Sequence, residues 1–567
     1  MIVRVWNAGS LMEPAEQPQW KLASFPPQRQ PLVPVTARLA APRLAADSDG
    51  RVWLAARRGE GGSRPAIGTV WTERLAFYDG AKWSDGIFCP LTDGLLDNQP
   101  ALLAAPQGGM AMIAASDRRY EIANEIPIGV AREIAKEMGS EPPLPAAGGA
   151  RADSLWPDPV NSELTLAALS AESLAAPEGP ALSPVAETAP AEPSEDVAPE
   201  AEMIARMREH RTEVAGQPLR ILRGEFHRHT ELSGDGGGDG MLMDMWRYAH
   251  DAANMDWIGN GDHDNGNGRE YSWWITQKTT SMFRLPGVFE PMFTYERSCT
   301  YPDGHRNVVF ARRGVRPLPR LAGGKGEDLD DELQPEDVRP NSPDTLMLYK
   351  YLAEMDGVCA SHTSGTDMGT DWRDNDPKVE PVVEIYQGDR QNYEMPGAPR
   401  SNTAEDSVGG WRPLGFVSLA LQKGYRLGFQ SSSDHASTHM SYCNVWVEEP
   451  SREAILDALK RRRVYGSTDN IIGEFFCGEH FMGEEFSLSE PPVFRVRIIG
   501  SQPIKTVHIV KDGKYVYSPE FSEREVSFEW TDMQAEPGKT SYYYVRGEQS
   551  DGELVWLSPM WIAYRPK

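Results

Sequence analysis

Most of the chain's 11 histidines fall between residues 227 and 439, and most of those sit beside carboxylates at the ends of apolar runs. His227-Arg228-His229 follows directly on LRILRGEF. In an extended segment, residues two apart project to the same side, so both imidazoles can meet one metal ion. Asp235 comes next, in the glycine-rich stretch SGDGGGDG, whose free backbone can bring a carboxylate inward. Alone, this pair would read as an exposed turn, but it has company. DWIGNGDHDNG puts Asp262, His263 and Asp264 where a strand runs into turn residues. TYERS carries Glu296, GHRNVVF carries His305, and ASHTSG places His362 just past GVCA. VVEIYQG holds Glu384 inside an apolar run, and SSSDHASTH offers Asp434, His435 and His439 after RLGFQ. An ionisable group in a buried strand carries a desolvation cost unless something pairs it. One such group is ordinarily a satisfied core residue; a succession at strand C-terminal ends fits a polynuclear metal centre. Imidazole and carboxylate donors without thiolate suit zinc, manganese or iron(II).

The elements that must position these groups alternate. LRILRGEF, DWIGNG, VFEPMFTYERS, RNVVFARR, GVCASHT, VEPVVEIYQG, RLGFQSSS and CNVWVEE read as strands. Helical periodicity marks 241–255, 342–356 and 451–465. Such alternation predicts parallel βα units in an α/β barrel or open sheet over 217–487. Insertions at 315–341 and 388–413 break the pattern, and long βα insertions shape the substrate mouth of a barrel.

The flanks carry no comparable cluster. Residues 1–137 read as a β-rich accessory module, with 47–59 and 74–94 loosely similar to propeller blades. Residues 138–216, loaded with Pro, Ala, Glu and Ser, read as a largely disordered acidic linker ending in a helix at 201–214. Residues 488–567 alternate as strands joined by Asp-Gly turns at 512–513 and 551–552, a small accessory β-sandwich. The chain of 567 residues has a net charge of −26, which argues against holding nucleic acid or anionic membrane by bulk electrostatics. The start, MIVRVWNAGS, lacks a secretory pattern, giving a cytoplasmic expectation. No apolar run is long enough to span a bilayer. Five dispersed cysteines exclude a disulfide framework and a zinc ribbon. Cys443 near His439 reads as a core cysteine rather than half of a Cys-His pair. No phosphate-binding glycine loop follows a strand, and no GxSxG elbow is present.

HRHTELSGDG, GNGDHD, the Glu296 strand, GHRNV, SHTSG and SSSDH, in that order, resemble the PHP (polymerase and histidinol phosphatase) superfamily of metal-dependent hydrolases. More closely they look like its carbaryl-hydrolase-like branch, often labelled only as a domain of unknown function. AILDALKRRRVYGST and the β module after it resemble that branch too. The resemblance covers about residues 220–567 and implies a distorted (β/α)7 barrel with two to three divalent metal ions at its C-terminal mouth. His227, His229, Glu296 and Asp434 would bind the first ion, Glu296 bridging to a second held by His305 and His362. Asp235, His263 and a C-terminal histidine, His435 or His439, would hold the third. The superfamily spaces its final Asp and His two apart, whereas Asp434 and His435 are adjacent, and adjacent strand residues point to opposite sides.

The expected chemistry is hydrolysis by a metal-bridging hydroxide of a small anionic or carbonyl-containing substrate. Phosphoester hydrolysis leads; carbamate, ester or amide hydrolysis at the same site is the alternative, and a non-catalytic metal-containing binding module is the third reading. Asp262 and Asp264 are candidates to orient a ligand or shuttle a proton, or are simply hydrogen-bonded turn residues. Glu384 is a candidate partner for a ligating histidine. Arg228 and Arg306 adjoin ligand positions and would either clamp an anionic substrate or form ion pairs.

Overall fold

The computed structural model describes residues 2–7, 9–18, 39–59, 71–94, 99–106, 108–116, 163–169, 182–185, 192–233, 239–264, 270–299, 301–318, 343–388 and 391–567. They fall into two units, Met1–Glu192 with Glu231–Met241, and Pro193–Thr230 with Leu242–Lys567.

The first unit is built of short antiparallel sheets. Leu39–Ala46, Val52–Gly59, Trp71–Tyr78 and Ile87–Gly94 pair in chain order as one four-stranded meander. The two stretches expected as separate blades are therefore neighbours in a single sheet, Val52–Gly59 pairing directly with Trp71–Tyr78. Parts of the expected linker also belong to sheets. Glu163–Leu169 pairs along Met110–Ser116, and Leu182–Pro184 pairs with Ser10–Pro14. Its residues 138–162, 170–181 and 186–191 lie outside the described residues.

In the second unit the linker expectation again gives way to packed structure. The helix runs over Val197–Glu209 rather than 201–214, and Arg211–Val214 is a strand paired with Gln217–Glu225. Apolar spacing explains this: Met203, Met207 and Val214 are buried in the same core as Phe475, Phe494 and Leu557.

Seven strands then pair in a circuit. Gln217–Glu225 lies parallel to Trp257–Gly259, and that to Glu290–Ser298. His305–Phe310 runs antiparallel to both its neighbours, Glu290–Ser298 and Val358–Ser361. Val382–Gln387 and Gly428–Ser432 follow in parallel. A parallel bridge from Asp434 to Arg228 returns the path to the first strand's extension. Val358–Ser361 and Val382–Gln387 are buried at every residue, as strands covered on both faces require. The helices are Leu242–Arg247 with a π turn at Tyr248–Ala252, Glu270–Met282, Pro343–Met355, Val417–Gln422 and Arg452–Lys460. Glu270–Met282 has no counterpart among the expected helices. The last helix is capped by Ser451, which accepts from Ala454 N, and stops before 465 because Val464–Ser467 is a strand.

Tyr442–Val447 pairs with the other edge of Gln217–Glu225. The same sheet continues through Val464–Ser467, Leu554–Tyr564, Thr540–Gln549, Ile504–Lys511 and Lys514–Tyr517. A second sheet, containing Ile472–Cys477, Val493–Ile499 and Glu525–Thr531, shares a core with it. No break appears at 487/488: the C-terminal strands continue the sheet that carries the circuit. Among the described residues no helix is long and apolar enough to cross a membrane.

Candidate metal centre

Six of the seven circuit strands run the same way, so their C-terminal ends share one rim. His227 and His229 follow the first strand, His263 the second, His362 the fifth and Asp434 the seventh. Glu296 lies near the end of the third. His305 opens the single reversed strand, so it reaches this rim from a strand's N-terminal end, a correction to the expectation of C-terminal ends throughout.

Glu296 is the focus. Its Oε2 lies 3.5 Å from His227 Nε2, 3.0 Å from His229 Nε2 and 3.3 Å from His263 Nδ1. Its Oε1 meets His305 Nδ1 and lies 3.1 Å from His362 Nε2. Asp434 Oδ1 lies 3.2 Å from His227 Nε2, 2.8 Å from His229 Nε2 and 3.4 Å from His435 Nε2. Four triads bring their donor atoms within 4.8 Å of one another: His227–His229–Glu296, His263–Glu296–His305, His229–Asp434–His435 and His227–His362–Glu384. His263 thus groups with Glu296 and His305, while Asp235, its expected companion, lies outside the described residues.

Between the two C-terminal histidines the geometry distinguishes clearly. The His435 ring stacks on His229 at 4.3 Å, whereas His439 Nδ1 is 3.0 Å from Tyr248 Oη and belongs to none of the triads. Adjacency does not keep Asp434 and His435 apart, because both follow the end of Gly428–Ser432. Asp434 and Ala436 have φ of +66° and +68°, which ends the strand alternation.

The electrostatics match a site built for a cation. Burial alone would raise the carboxyl groups, but the surrounding imidazoles (His263, His362 and His305 for Glu296; His227 and His229 for Asp434) hold both well below the carboxylate range. Burial pushes His227 and His229 down, yet the facing carboxylates hold both well above the ordinary imidazole value. His362 is lowered to about 4, by burial and then by the neighbouring His227. Positive charge is thus favoured beside Glu296 and Asp434, which a divalent ion could supply in place of protons. His227 Nε2, Glu296 Oε2 and His362 Nε2 are buried without a well-oriented hydrogen bond. Such atoms, in a set of imidazole and carboxylate donors, fit a divalent transition-metal ion.

Other side chains aim these donors. His227 Nδ1 donates to Glu384 Oε2 at 3.0 Å, which turns Nε2 toward the cluster, and Gln430 Nε2 donates to the same oxygen at 3.1 Å. His362 Nδ1 lies 2.8 Å from Thr363 Oγ1, and His263 Nδ1 bonds with Ser298 Oγ. Glu225 accepts from Ser433 N at 2.6 Å and Ser433 Oγ at 3.0 Å, holding the turn that carries Asp434; burial pushes its carboxyl up to about 8. Sequence reasoning missed Glu225, although its place two residues before His227 puts it on the same strand face. Ser298 and Thr363 carry no comparable signal, since isolated hydroxyls are common at strand ends.

The three residues expected to act in catalysis are engaged elsewhere. Asp262 accepts from Thr230 N and Asn260 Nδ2, each at 2.6 Å, and so fixes the turn after His229. Asp264 lies 3.8 Å from Arg297 Nη1, and its N–H donates to Glu296 O at 2.8 Å. The Arg306 guanidinium donates to Glu380 Oε1 at 3.0 Å and to the carbonyls of Asp303 and Gly304. Arg228 likewise donates to the carbonyls of His229 and Asp434. Of the two expected roles, anion clamp or ion pair, the contacts favour pairing, because both arginines are buried and a buried guanidinium needs acceptors.

Compared with known proteins, residues 418–493 match a family model described as a protein of unknown function (DUF3604). Uncharacterized proteins of Chlamydia muridarum and Chlamydia pneumoniae are each 26% identical over 248 residues, covering 38% of this chain and 40% of theirs. The chain therefore spans less than half the length of these curated relatives. A solved two-domain protein of Bacteroides vulgatus, described as containing a predicted PHP-like metal-dependent phosphoesterase, is similar over 62% of this chain and 97% of its own. That likeness has 13% identity and a TM-score of 0.31.

Proposed function

We propose that the second unit is a metal-dependent hydrolase, its seven-strand circuit a distorted (β/α)7 barrel of the PHP type. The observation that carries this reading is one buried carboxylate, Glu296, contacted by five imidazoles at a single rim. His227, His229, Glu296 and Asp434 would hold one ion; His305, His362 and His263 would hold a second across Glu296; His435 would hold a third with Asp434. When bound, such ions supply Lewis acidity and acidify water enough for hydrolysis near neutral pH. The chain's own part is orientation. Glu384 and Thr363 present the ligating nitrogens of His227 and His362, while Asp262 and Glu225 hold the two turns that carry His229 and Asp434.

Phosphoester hydrolysis is the leading reaction. Carbamate, ester or amide hydrolysis gains from one observation: Arg228 and Arg306, candidate anion clamps, are spent on carbonyls and Glu380. Metal analysis of the purified chain, with nitrophenyl phosphate and a naphthyl carbamate assayed in parallel, tests the reading. Two to three equivalents of transition metal are expected, with turnover that disappears in His227→Ala. Metal binding without turnover on either substrate would instead indicate a binding module.

A further inference from the structure

The C-terminal strands were expected to be accessory, yet a buried contact ties them to the metal centre. Glu394, 1% exposed, follows the short strand Gln391–Asn392 within the 388–413 insertion. Its carboxylate receives Arg546 Nη1 at 2.9 Å on each oxygen, Tyr544 Oη at 2.7 Å and Trp556 Nε1 at 2.8 Å. All three donors stand on the C-terminal strands Thr540–Gln549 and Leu554–Tyr564. Arg546 is 2% exposed and is itself braced by Tyr515 Oη at 2.7 Å.

From Glu394 the path to the ligands is short. Its neighbour Tyr393 lies against Gly365, where an added Cβ would stand 3.1 Å from the Tyr393 ring. Gly365 is three residues beyond His362, and its carbonyl accepts from Arg412 N at 2.7 Å. Gly415, just past the insertion, presses on the same loop: a Cβ there would come within 1.6 Å of Ser364 O, so only glycine permits the approach. The loop ends by accepting His305 N on Met368 O at 2.7 Å. The insertion thus seats a loop that touches two expected ligands, His362 and His305, and the C-terminal strands seat the insertion.

We infer that the Glu394–Arg546 clamp is a positioning device for the His305/His362 half of the metal centre, which makes the C-terminal β module part of the active apparatus. This rests on the metal reading proposed above. The chemistry suits the task. A buried ion pair in which one guanidinium nitrogen reaches both carboxylate oxygens, with two further donors, adds geometric definition more surely than stability, since an apolar substitute of similar volume often serves stability as well.

Cobalt(II) titrated into the metal-free full-length chain, followed by visible absorption, tests the clamp. A His362→Ala variant identifies the absorption that belongs to the His305/His362 ion. Arg546→Met is expected to weaken that ion by about tenfold or more, the range typical of groups that orient ligands, and to leave the remaining cobalt binding unchanged. Arg546→Lys should recover part of the loss. Lys511→Met is the control, because it breaks a buried pair with Asp532, 2.6 Å, in the same module but off this path. It should lower thermal stability without altering the titration. An Arg546→Met chain that folds and titrates like the parent overturns the inference, as does equal weakening in Lys511→Met. If Arg546→Met does not fold, Tyr393→Leu decides: it leaves the clamp intact and removes the ring from Gly365, and an unchanged titration overturns the inference. A parent chain that binds cobalt but hydrolyses nothing sinks the hydrolase while leaving the clamp to be judged by its variants. A parent that binds no cobalt sinks both.

Discussion

Glu296 and Glu394 are both 1% exposed carboxylates in the second unit, and they are solvated by the protein in opposite ways. Glu394 is saturated: a guanidinium, a phenol and an indole all donate to it and fill both its oxygens. Glu296 is surrounded by imidazoles, each of whose nitrogens donates when it carries a proton and otherwise offers a lone pair. The first arrangement has one state. The second could exchange protons for a cation. A buried acid marks a functional centre by the kind of group that faces it, then, rather than by its burial or its charge. Glu380 supports the same rule. It sits against the fifth strand next to His362, but Arg306 and Ser361 supply its donors, and it is absent from every candidate metal triad.

The largest effect should come from breaking the exchangeable site. Glu296→Gln removes the charge common to the expected ions, so metal content should fall by at least one equivalent. Turnover should fall by on the order of 100-fold or more, exceeding what loss of an orienting group costs. Atomic emission on the purified variant, with steady-state assays, checks both. Retention of full metal content would mean that Glu296 does not bridge. Glu394→Ala should act first on stability, beside the loss at the His305/His362 ion expected of a broken clamp. It strands Arg546 in the interior and should cost about 3–5 kcal/mol of stability, read by denaturant unfolding. The contrast sharpens if Glu296→Gln, measured without metal, moves the unfolding midpoint far less.

How much of this was legible follows from the same distinction. His227, His229, Glu296, His305, His362 and Asp434 could be named because imidazoles and acids at strand ends are costly and therefore conspicuous. Their convergence also depended on His305–Phe310 running backwards, which no local pattern announced. The alternatives for Asp262, Asp264 and Arg306, catalysis or turn and ion pairing, stayed open because a sequence shows that a charged residue is near a ligand, but not which way it faces. Each proved to be turned into a neighbour supplied by a different segment: Thr230, Arg297 and Glu380. Glu394 went unnoticed for the same reason, since its partners lie some 150 positions later in the chain. The linker expectation erred where short apolar alternation, as in ELTLAAL, found an existing strand to pair with.

A third buried acid tests whether incomplete satisfaction alone signals function. Glu73, in the first unit, has one ion-pair partner, Arg57 at 3.1 Å, and its Oε2 is buried without a hydrogen bond. Burial outweighs the arginine and pushes its carboxyl up to about 7. Because the folded value lies above the unfolded one, the folded form holds the extra proton. Its contribution to stability is full below about pH 4.5 and is lost as pH rises through about 7. The first unit should therefore lose about 3 kcal/mol between those limits, and Glu73→Gln should flatten the profile. Limited proteolysis across pH measures it. A flat profile in the parent would mean that Arg57 satisfies Glu73 as fully as Arg546 satisfies Glu394.

The finest test concerns the edge of the imidazole shell. His435 stacks on His229 and reaches toward Asp434, whereas His439 pairs with Tyr248. If facing imidazoles define the exchangeable site, His435→Ala should weaken metal binding by about tenfold, and His439→Ala should leave it within about twofold of the parent. Competition with a chromogenic chelator resolves differences of that size. Equal effects from the two variants would mean that the final turn acts through its backbone alone. The left-handed residues Asp434 and Ala436 would then be its working part, with neither histidine acting as a ligand. A larger loss for His439→Ala would place the boundary of the site at Tyr248, on the π turn, and would move the third ion away from Asp434.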